Sequence, residues 1–391
     1  MNRLKHILIS SGVTLIVASV VFAIIIKNDS NGSGYLSSIL NQTSSNYSQR
    51  QQINSVLANE RQNIITKTVA ETSPAVVGIT VTEIRQYRDV WSMDPFWQQF
   101  FADRVYNQQI KSLGSGAIIS PDGYILTNDH VAGNALEAIV TLTDGSQYDA
   151  KVIGTDEVSD ICLLKINAKN LPFVKLGNSD DIMIGEWVVA LGNPFGLFDI
   201  NDKPTVTLGV ISATGMNLGT INKRSYANML QTDAAINNGN SGGPLVNVLG
   251  ELVGMNTLIY TAQGSSGNIG VSFAIPVNKI KRVVDELKEK GKVDRDFWTG
   301  LSILTINESI AKTYNLKSSR GVVVTQVAKN SPASKAGLLI EDIIIAVNNF
   351  RINDDATLIG IFQEYRTGDE VKIKILRDGK EKTLTMKLEK K

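Results

Sequence analysis

Short apolar runs separated by glycine-containing turns make up most of the chain from about Val69 onward. Runs of this kind, bounded by turns such as Asp122-Gly123, are typical of β-strands, and many short strands with few helices indicate barrels or sandwiches. The 32 glycines and the low aromatic content of 6% agree with that reading. The predicted strands are Val76–Val81, Gly116–Ser120, Tyr124–Thr127, Ala138–Leu142, Ile161–Ile166, Trp187–Gly192, Thr205–Ser212, Leu245–Val248 and Leu252–Asn256.

Near residue 277 the apolar pattern changes to a helical period. Apolar residues spaced i, i+3, i+4, i+7 predict an amphipathic helix, with Asn278 as its N-cap and Gly291 just beyond its end. The stripe consists of Ile280, Val283, Val284 and Leu287. This helix closes the first folded block and leads into a second block of about 95 residues.

The N-terminus has the pattern of a membrane anchor. Residues 7–26 carry no charge over 20 positions, which as a helix spans about 30 Å, the thickness of a bilayer's hydrocarbon core. Arg3 and Lys5 precede this span, so the N-terminus is expected to stay in the cytoplasm and the rest to be exported. A cleaved signal peptide is the alternative, although its apolar region is usually shorter and the exit site at Ala23 is poor. In a bacterium we therefore expect a single-pass inner-membrane protein whose bulk lies in the periplasm or outside the cell.

Composition excludes several kinds of chemistry. A net charge of +1 gives no electrostatic reason to expect a nucleic-acid partner. The single cysteine, Cys162, excludes an internal disulfide framework, and with only His6 and His130 neither a cysteine-based nor a multi-histidine metal site is available. We expect no metal and no organic cofactor. Hydroxyls, carboxylates, amides and one imidazole must carry the chemistry.

The most informative motif is GNSGGPL, which runs from residue 239 to residue 245. Serine is a weak nucleophile that needs a nearby base, and backbone N–H groups must meet the oxyanion that forms when a carbonyl is attacked. Glycines on both sides of Ser241 let the backbone turn sharply. The N–H groups of Gly239 and Ser241 can then point into one hole, which the loop residues Gly239, Asn240 and Ser241 are predicted to form.

His130 is the only histidine available to activate Ser241, since His6 lies at the membrane end. The order of histidine, aspartate and serine along the chain is that of chymotrypsin-type proteases, provided that the acid lies between His130 and Ser241.

Asp160 is the favoured acid because it directly precedes the apolar run at residues 161–166, where a strand entrance can hold it rigidly. Such a carboxylate fixes the tautomer of the imidazole and stabilises its charged form. Asp129 is a rival, although neighbours on an extended chain point to opposite faces. Asp156 is a second rival.

These motifs resemble the HtrA/Deg family of serine proteases, in particular its membrane-anchored, single-PDZ, DegS-like members. The matching stretches include Gly114–Ile119, Thr127–Val131, Ser159–Ile166, Leu191–Gly196 and Gln231–Leu245. The resemblance implies a mostly β fold, with a chymotrypsin-like double β-barrel protease followed by one PDZ domain. It assigns the triad to His130, Asp160 and Ser241. It also implies a homotrimer that cleaves unfolded, misfolded or signal-bearing exported proteins and is regulated by peptides at the PDZ domain. Asp129 departs from the family pattern, which usually has asparagine there, and so does Asn238.

The charge-free span and the serine-, asparagine- and glutamine-rich stretch after it predict an anchor with its cytoplasmic tip at residues 1–27 and a flexible polar linker at 28–65. The resemblance adds the protease domain at 66–290, the PDZ domain at 291–391 and the binding residues. Two aliphatic residues are predicted to line the pocket for the residue before the cut, which favours cleavage after Val, Ala or Ile; they are Ile236 and Ile259. Four residues are predicted to bind the carboxylate of C-terminal peptides: Trp298, Thr299, Gly300 and Leu301.

Two alternatives remain open. The aromatic stretch at 89–104 fits either an amphipathic helix over the core or a mobile loop near the active site. The whole chain could also be a chaperone-like or peptide-binding protein whose triad is inactive at rest.

Overall fold

The computed structural model describes residues 62–88, 105–193, 198, 202–237, 239–259, 269–314, 316 and 318–391, without the side chains of 85–88, 105–108, 258 and 259. The predicted anchor at 7–26, the linker up to residue 61 and the aromatic stretch at 89–104 lie outside these residues. Within the described part of the chain, no helix is both long and apolar enough to cross a membrane.

The first barrel follows helix α1 (Ile64–Thr72) and closes through six antiparallel strands in the order β1-β2-β3-β6-β5-β4. These strands are β1 (Val76–Arg88), β2 (Val105–Ile118), β3 (Tyr124–Thr127), β4 (Glu137–Thr141), β5 (Gln147–Asp156) and β6 (Ile161–Ile166). Alternate residues of β1, namely Val77, Ile79 and Val81, point into its core, as the period of two along a strand requires. The short helix α2 (Asp129–Ala132) follows β3 and packs against the barrel.

The second barrel has the order β13-β8-β9-β12-β15-β14, and a further pairing of β13 with β14 closes it. Its strands are β7 (Lys175–Leu176), β8 (Trp187–Gly192), β9 (Thr205–Met216), β12 (Met229–Thr232), β13 (Pro244–Asn247), β14 (Glu251–Ile259) and β15 (Ser272–Pro276), with β7 added in parallel to β14. Between β9 and β12 the chain forms a separate hairpin of β10 (Thr220–Ile221) and β11 (Arg224–Ser225).

Helix α3 (Val277–Lys290) buries the predicted apolar stripe and ends at Gly291, which has a φ of 70°. The predicted N-cap at Asn278 is wrong, because the helix already begins at Val277. Pro276 precedes it with a φ of −62°, and the backbone N–H of Asn278 donates to Ser179 Oγ at 3.1 Å. A residue from elsewhere in the fold therefore satisfies this N–H in the first turn.

The C-terminal block is a sheet of order β16-β17-β18-β20-β21, with β19 attached to β18. Its elements are β16 (Leu301–Thr305), α4 (Glu308–Thr313), β17 (Val322–Val327), α5 (Pro332–Lys335), β18 (Ile343–Val347), β19 (Phe350–Arg351), α6 (Asp355–Phe362), β20 (Glu370–Arg377) and β21 (Lys380–Lys387). Because β16 is an end strand of this sheet, one of its edges is not paired with another described strand.

Ion pairs and apolar packing join the C-terminal block to the barrels. Arg295 Nη2 lies 2.7 Å from Asp156 Oδ2, and Arg366 Nε lies 2.8 Å from Glu286 Oε1. Ala227, which precedes β12, belongs to the same buried apolar cluster as the core of the C-terminal sheet. The two parts therefore share both charged and apolar contacts.

Candidate active site

The candidate acid, Asp160, is fully buried where a turn enters β6. Its φ of 58° is unusual for a residue other than glycine, so its surroundings must hold it. Thr257 Oγ1 donates to Asp160 Oδ2 at 2.8 Å, and Asn128 Nδ2 donates to the Asp160 carbonyl at 3.0 Å. These bonds fix both the side chain and the backbone of Asp160.

His130 meets this carboxylate from helix α2. Its Nδ1 lies 2.9 Å from Asp160 Oδ1 and 2.8 Å from Oδ2, and its backbone N–H donates to Oδ1 at 3.0 Å. The imidazole is about one-third exposed, with a side-chain exposure of 34%. The ring is therefore held at one nitrogen and partly open to solvent.

Burial by itself raises the pKa of Asp160, but the hydrogen bond and the charge of His130 outweigh it, with a further contribution from the Thr257 hydroxyl. The pKa of Asp160 consequently lies below its ordinary value. A carboxylate that stays ionised can orient an imidazole and stabilise its protonated form.

The candidate nucleophile, Ser241, is hydrogen-bonded to Thr257, which also contacts Asp160. Its Oγ donates to the carbonyl oxygen of Thr257 at 3.4 Å, and no hydrogen bond of the described residues joins it to His130. Thr257 thus contacts the acid through its hydroxyl and the serine through its carbonyl. The geometry pairs His130 with Asp160 and leaves the Ser241 hydroxyl turned toward the backbone.

The loop around Ser241 is shaped by glycine and clamped by Ser115 of the first barrel. Gly242 has a φ of 84°, and a Cβ there would lie 2.2 Å from the Ser115 carbonyl oxygen, so no other residue fits. The Ser115 N–H donates to the Ser241 carbonyl at 3.0 Å, and the Ser115 hydroxyl donates to the Gly239 carbonyl. Ser115 therefore fixes both ends of the loop.

Two N–H groups of this loop are available for an oxyanion. Those of Gly239 and Ser241 donate to no acceptor among the described residues. Asn240, which the sequence placed in the same hole, instead donates its N–H to the Asn237 carbonyl at 3.0 Å. Asn240 is also buried, and its Oδ1 has no partner among the described residues.

The predicted substrate-binding residues lie in two places. Ile236 is 1% exposed and packs within the core of the second barrel, whereas the side chain of Ile259, near the end of β14, lies outside the described set. In the C-terminal block the N–H groups of Thr299 and Gly300 donate to no described acceptor, and Gly300 has a φ of 75°.

The other two residues of that predicted loop are engaged with their own domain. Leu301 begins the end strand β16 and packs against the core of the C-terminal sheet. Trp298 forms a bridge with Glu389. Thr299 and Gly300 therefore offer adjacent N–H groups at the entrance of an open strand edge.

Neither thiol nor metal chemistry is supported by the described residues. Burial, assisted by the negative charge of Asp129, raises the pKa of Cys162 to about 12, so the thiolate is strongly disfavoured. No group of three or more histidine, cysteine, aspartate or glutamate side chains in the described ranges could hold a metal ion.

The structure adds residues that sequence reasoning missed. Thr257, Tyr226 and Arg224 all bond to the Asp160 carboxylate, from positions between 64 and 97 residues further along the chain. The two rival acids have other partners: Asp129 pairs with Arg224 at 2.8 Å, and Asp156 pairs with Arg295. No local pattern marked these contacts.

Comparison with known proteins identifies both folded parts. Residues 114–255 match the family described as a trypsin-like peptidase domain, and residues 287–388 match the PDZ domain. A probable periplasmic serine endoprotease, DegP-like, from Pseudomonas putida (strain GB-1) is 40% identical over 351 residues, which cover 85% of this chain and 71% of the relative. The chain belongs to the HtrA family of serine proteases.

Further relatives agree with this assignment. The DegP-like relative from Marinomonas sp. (strain MWYL1) is 44% identical over 342 residues, covering 83% of this chain and 71% of its own length. Among solved structures, the HtrA-type protease AlgW with a decapeptide is 36% identical with a TM-score of 0.61, covering 84% of this chain and 98% of its own. The chain is thus an HtrA-type serine endoprotease with one PDZ domain, as the sequence motifs indicated.

Proposed function

We propose that Ser241 attacks the peptide carbonyl, that His130 takes its proton and later delivers it to the leaving amine, and that Asp160 orients the imidazole. The N–H groups of Gly239 and Ser241 stabilise the oxyanion. The observation that carries this proposal is the pairing of His130 Nδ1 with Asp160 Oδ2 at 2.8 Å, on an acid whose partner Thr257 is also in contact with Ser241. Rotation of the serine hydroxyl toward His130 completes the triad, because catalytic hydrogen bonds often tighten only in the substrate complex.

Peptide binding at the PDZ domain is proposed to favour that rotation. The AlgW structures, which are similar to this chain, were solved with peptides, and the adjacent N–H groups of Thr299 and Gly300 suit a C-terminal carboxylate. A peptide would add to the open edge of β16 while these N–H groups hold its terminus.

Fluorophosphonate labelling of Ser241 tests both parts in the full-length protein. Labelling that rises when a peptide with a free C-terminal carboxylate is added supports the proposal, and the same peptide with an amidated C-terminus is the matched control. Ser241→Ala should abolish labelling. Labelling that is equal with and without peptide would contradict the regulation, and labelling retained in Ser241→Ala would contradict the nucleophile.

The assembly and the location are part of the same proposal. Residues 7–26 are proposed to anchor the chain in the inner membrane, with the protease and PDZ domains in the periplasm as a homotrimer, since the DegP-like relatives are named periplasmic. Retention in the membrane fraction after an alkaline wash tests the anchor, and the molar mass from light scattering tests the trimer. The proposed substrates are unfolded, misfolded or signal-bearing exported proteins, cut after Val, Ala or Ile.

A chaperone-like protein with an inactive triad is the second candidate. One observation favours it: the Ser241 hydroxyl bonds to Thr257 and not to His130. Ser241 that stays unlabelled with every peptide, in a protein that still suppresses the aggregation of an unfolded substrate, would establish this second function.

A further inference from the structure

An arginine lies between two carboxylates at the centre of the candidate site. Arg224 Nε lies 3.1 Å from Asp160 Oδ1, and its Nη2 lies 2.8 Å from Asp129 Oδ2. Asp160 and Asp129 are buried, and Arg224 is itself mostly covered. Charge-assisted bonds of this kind are strong and directional, because the planar guanidinium presents its donors in a fixed fork.

The backbone delivers Arg224 to this position through a tight hairpin. The two turn residues between β10 and β11, Asn222 and Lys223, have φ values of 50° and 68°, as a two-residue hairpin turn of type I′ requires. The N–H of Ser225 donates to the Val158 carbonyl at 2.7 Å. This bond ties β11 to the turn that carries Asp160, so the two segments are held together independently of the Arg224 side chain.

Asp129 is held equally firmly. The Thr155 hydroxyl donates to Asp129 Oδ1 at 2.5 Å, and a Cβ on Gly133 would lie 2.0 Å from the same oxygen. The carboxylate therefore fits a space that only glycine leaves open. With Arg224 it forms a neutral pair beside His130, so that the charge facing the imidazole remains that of Asp160.

We propose that Arg224 is a positioning residue for Asp160. We also propose that the carboxylate of Asp129 neutralises the charge of Arg224, so that the guanidinium does not oppose formation of the His130 imidazolium. The inference rests on the proposed triad. An arginine without Asp129 would oppose formation of the imidazolium, and Asp129 without the arginine would favour it. Besides His130, the titratable groups of the described residues that interact with these carboxylates are Tyr226, whose hydroxyl lies 3.3 Å from Asp160 Oδ2, and Cys162, the second residue of β6, which is acted on by the charge of Asp129.

The test is the pH dependence of kcat/KM and of the fluorophosphonate labelling rate, measured on the full-length protein with a fluorogenic peptide that has Val before the scissile bond. Arg224→Gln should lower kcat/KM about ten-fold, through displacement of the acid. It should also move the acidic limb of the pH profile, where kcat/KM falls as the pH is lowered, upward by roughly half to one pH unit, because the loss of the guanidinium charge favours the imidazolium. Asp129→Asn should move that limb downward. The double variant should return the limb toward its original position while kcat/KM stays low.

Further variants separate charge from geometry. Arg224→Lys keeps the charge and loses the fork, so the limb should stay while kcat/KM falls. Lys223→Gln removes an exposed charge from the same hairpin and should change neither. Shifts of the two single variants in the same direction, or no shift in either, would overturn the proposal. If Arg224→Gln fails to fold by circular dichroism, a folded Arg224→Lys with unchanged kcat/KM overturns it alone. Activity retained in Ser241→Ala would instead refute the proposed triad.

Discussion

The two barrels contribute to the site with different degrees of preorganisation. On the first barrel, His130 and Asp160 are joined by three contacts of 2.8–3.0 Å, and the acid is fully buried. On the second barrel, the Ser241 hydroxyl makes a single long bond of 3.4 Å to the residues that the structure describes, and the N–H groups of Gly239 and Ser241 donate to no described acceptor. The proposed pair of His130 and Asp160 is therefore held firmly in place, whereas the hydroxyl of the proposed nucleophile, Ser241, is held only weakly. A protease arranged in this way can be controlled at the serine without any change in its base.

Disrupting the contact between His130 and Asp160 should have the largest effect on activity. Asp160→Asn keeps the shape of the side chain but can stabilise the wrong imidazole tautomer, so kcat/KM should fall about 10⁴-fold. Peptide hydrolysis at pH 7 measures this. Asp149→Asn, at an exposed position of β5, is the control and should leave kcat/KM unchanged. A loss of less than ten-fold in Asp160→Asn would mean that another carboxylate orients His130.

Weakening the contacts that hold the loop around Ser241 should have an intermediate effect on activity. Ser115→Ala removes the hydroxyl that donates to the Gly239 carbonyl and accepts the Asn193 N–H at 2.7 Å. The oxyanion donors should then be less well aimed, and kcat should fall about 10–100-fold with little change in KM. Ser112→Ala on the same strand is the matched control. A rise in KM alone would show that Ser115 serves substrate binding instead.

The pH dependence of stability should show the smallest effect. The pKa of Asp160 is lower in the folded protein than in the unfolded chain because its bonds to His130 and Thr257 outweigh burial. The stability that it contributes is therefore fully present above the unfolded value of about 3.9, and it is lost as the pH falls through the folded value. Urea unfolding of the wild type and Asp160→Asn at several pH values measures this. The difference between them should shrink below about pH 4; a difference that grows on acidification would contradict it.

Strands with continuous apolar runs could be predicted well from the sequence. The predicted bounds of β3, β6 and β8 agree with the structure, since buried β-branched runs flanked by turns leave little choice. Strand β5 was missed, because QYDAKVIGTD mixes lysine and aspartate with apolar residues and is half exposed. Strand β15 was missed because its five residues, SFAIP, end in proline.

The residues of the proposed triad could be picked out from the sequence because each one adjoins a recognisable element or motif. Asp160 precedes β6, and Ser241 lies in a glycine-rich loop. Arg224 and Thr257 reach Asp160 only through the closure of the second barrel and its hairpin, 64 and 97 residues away along the chain. The direction of the Ser241 hydroxyl depends on a torsion angle that no sequence pattern fixes. Long-range partners and rotamers are thus what sequence reasoning could not supply.

The burial of Cys162 has a practical consequence for labelling experiments on this protein in solution. It is the only cysteine in the chain, and it lies in the interior of the first barrel. A second cysteine placed on the PDZ surface would react with a fluorophore or spin label long before Cys162 did, so the native residue need not be replaced. The slow rate at which Cys162 itself is modified would then measure how often the first barrel opens transiently next to Asp160.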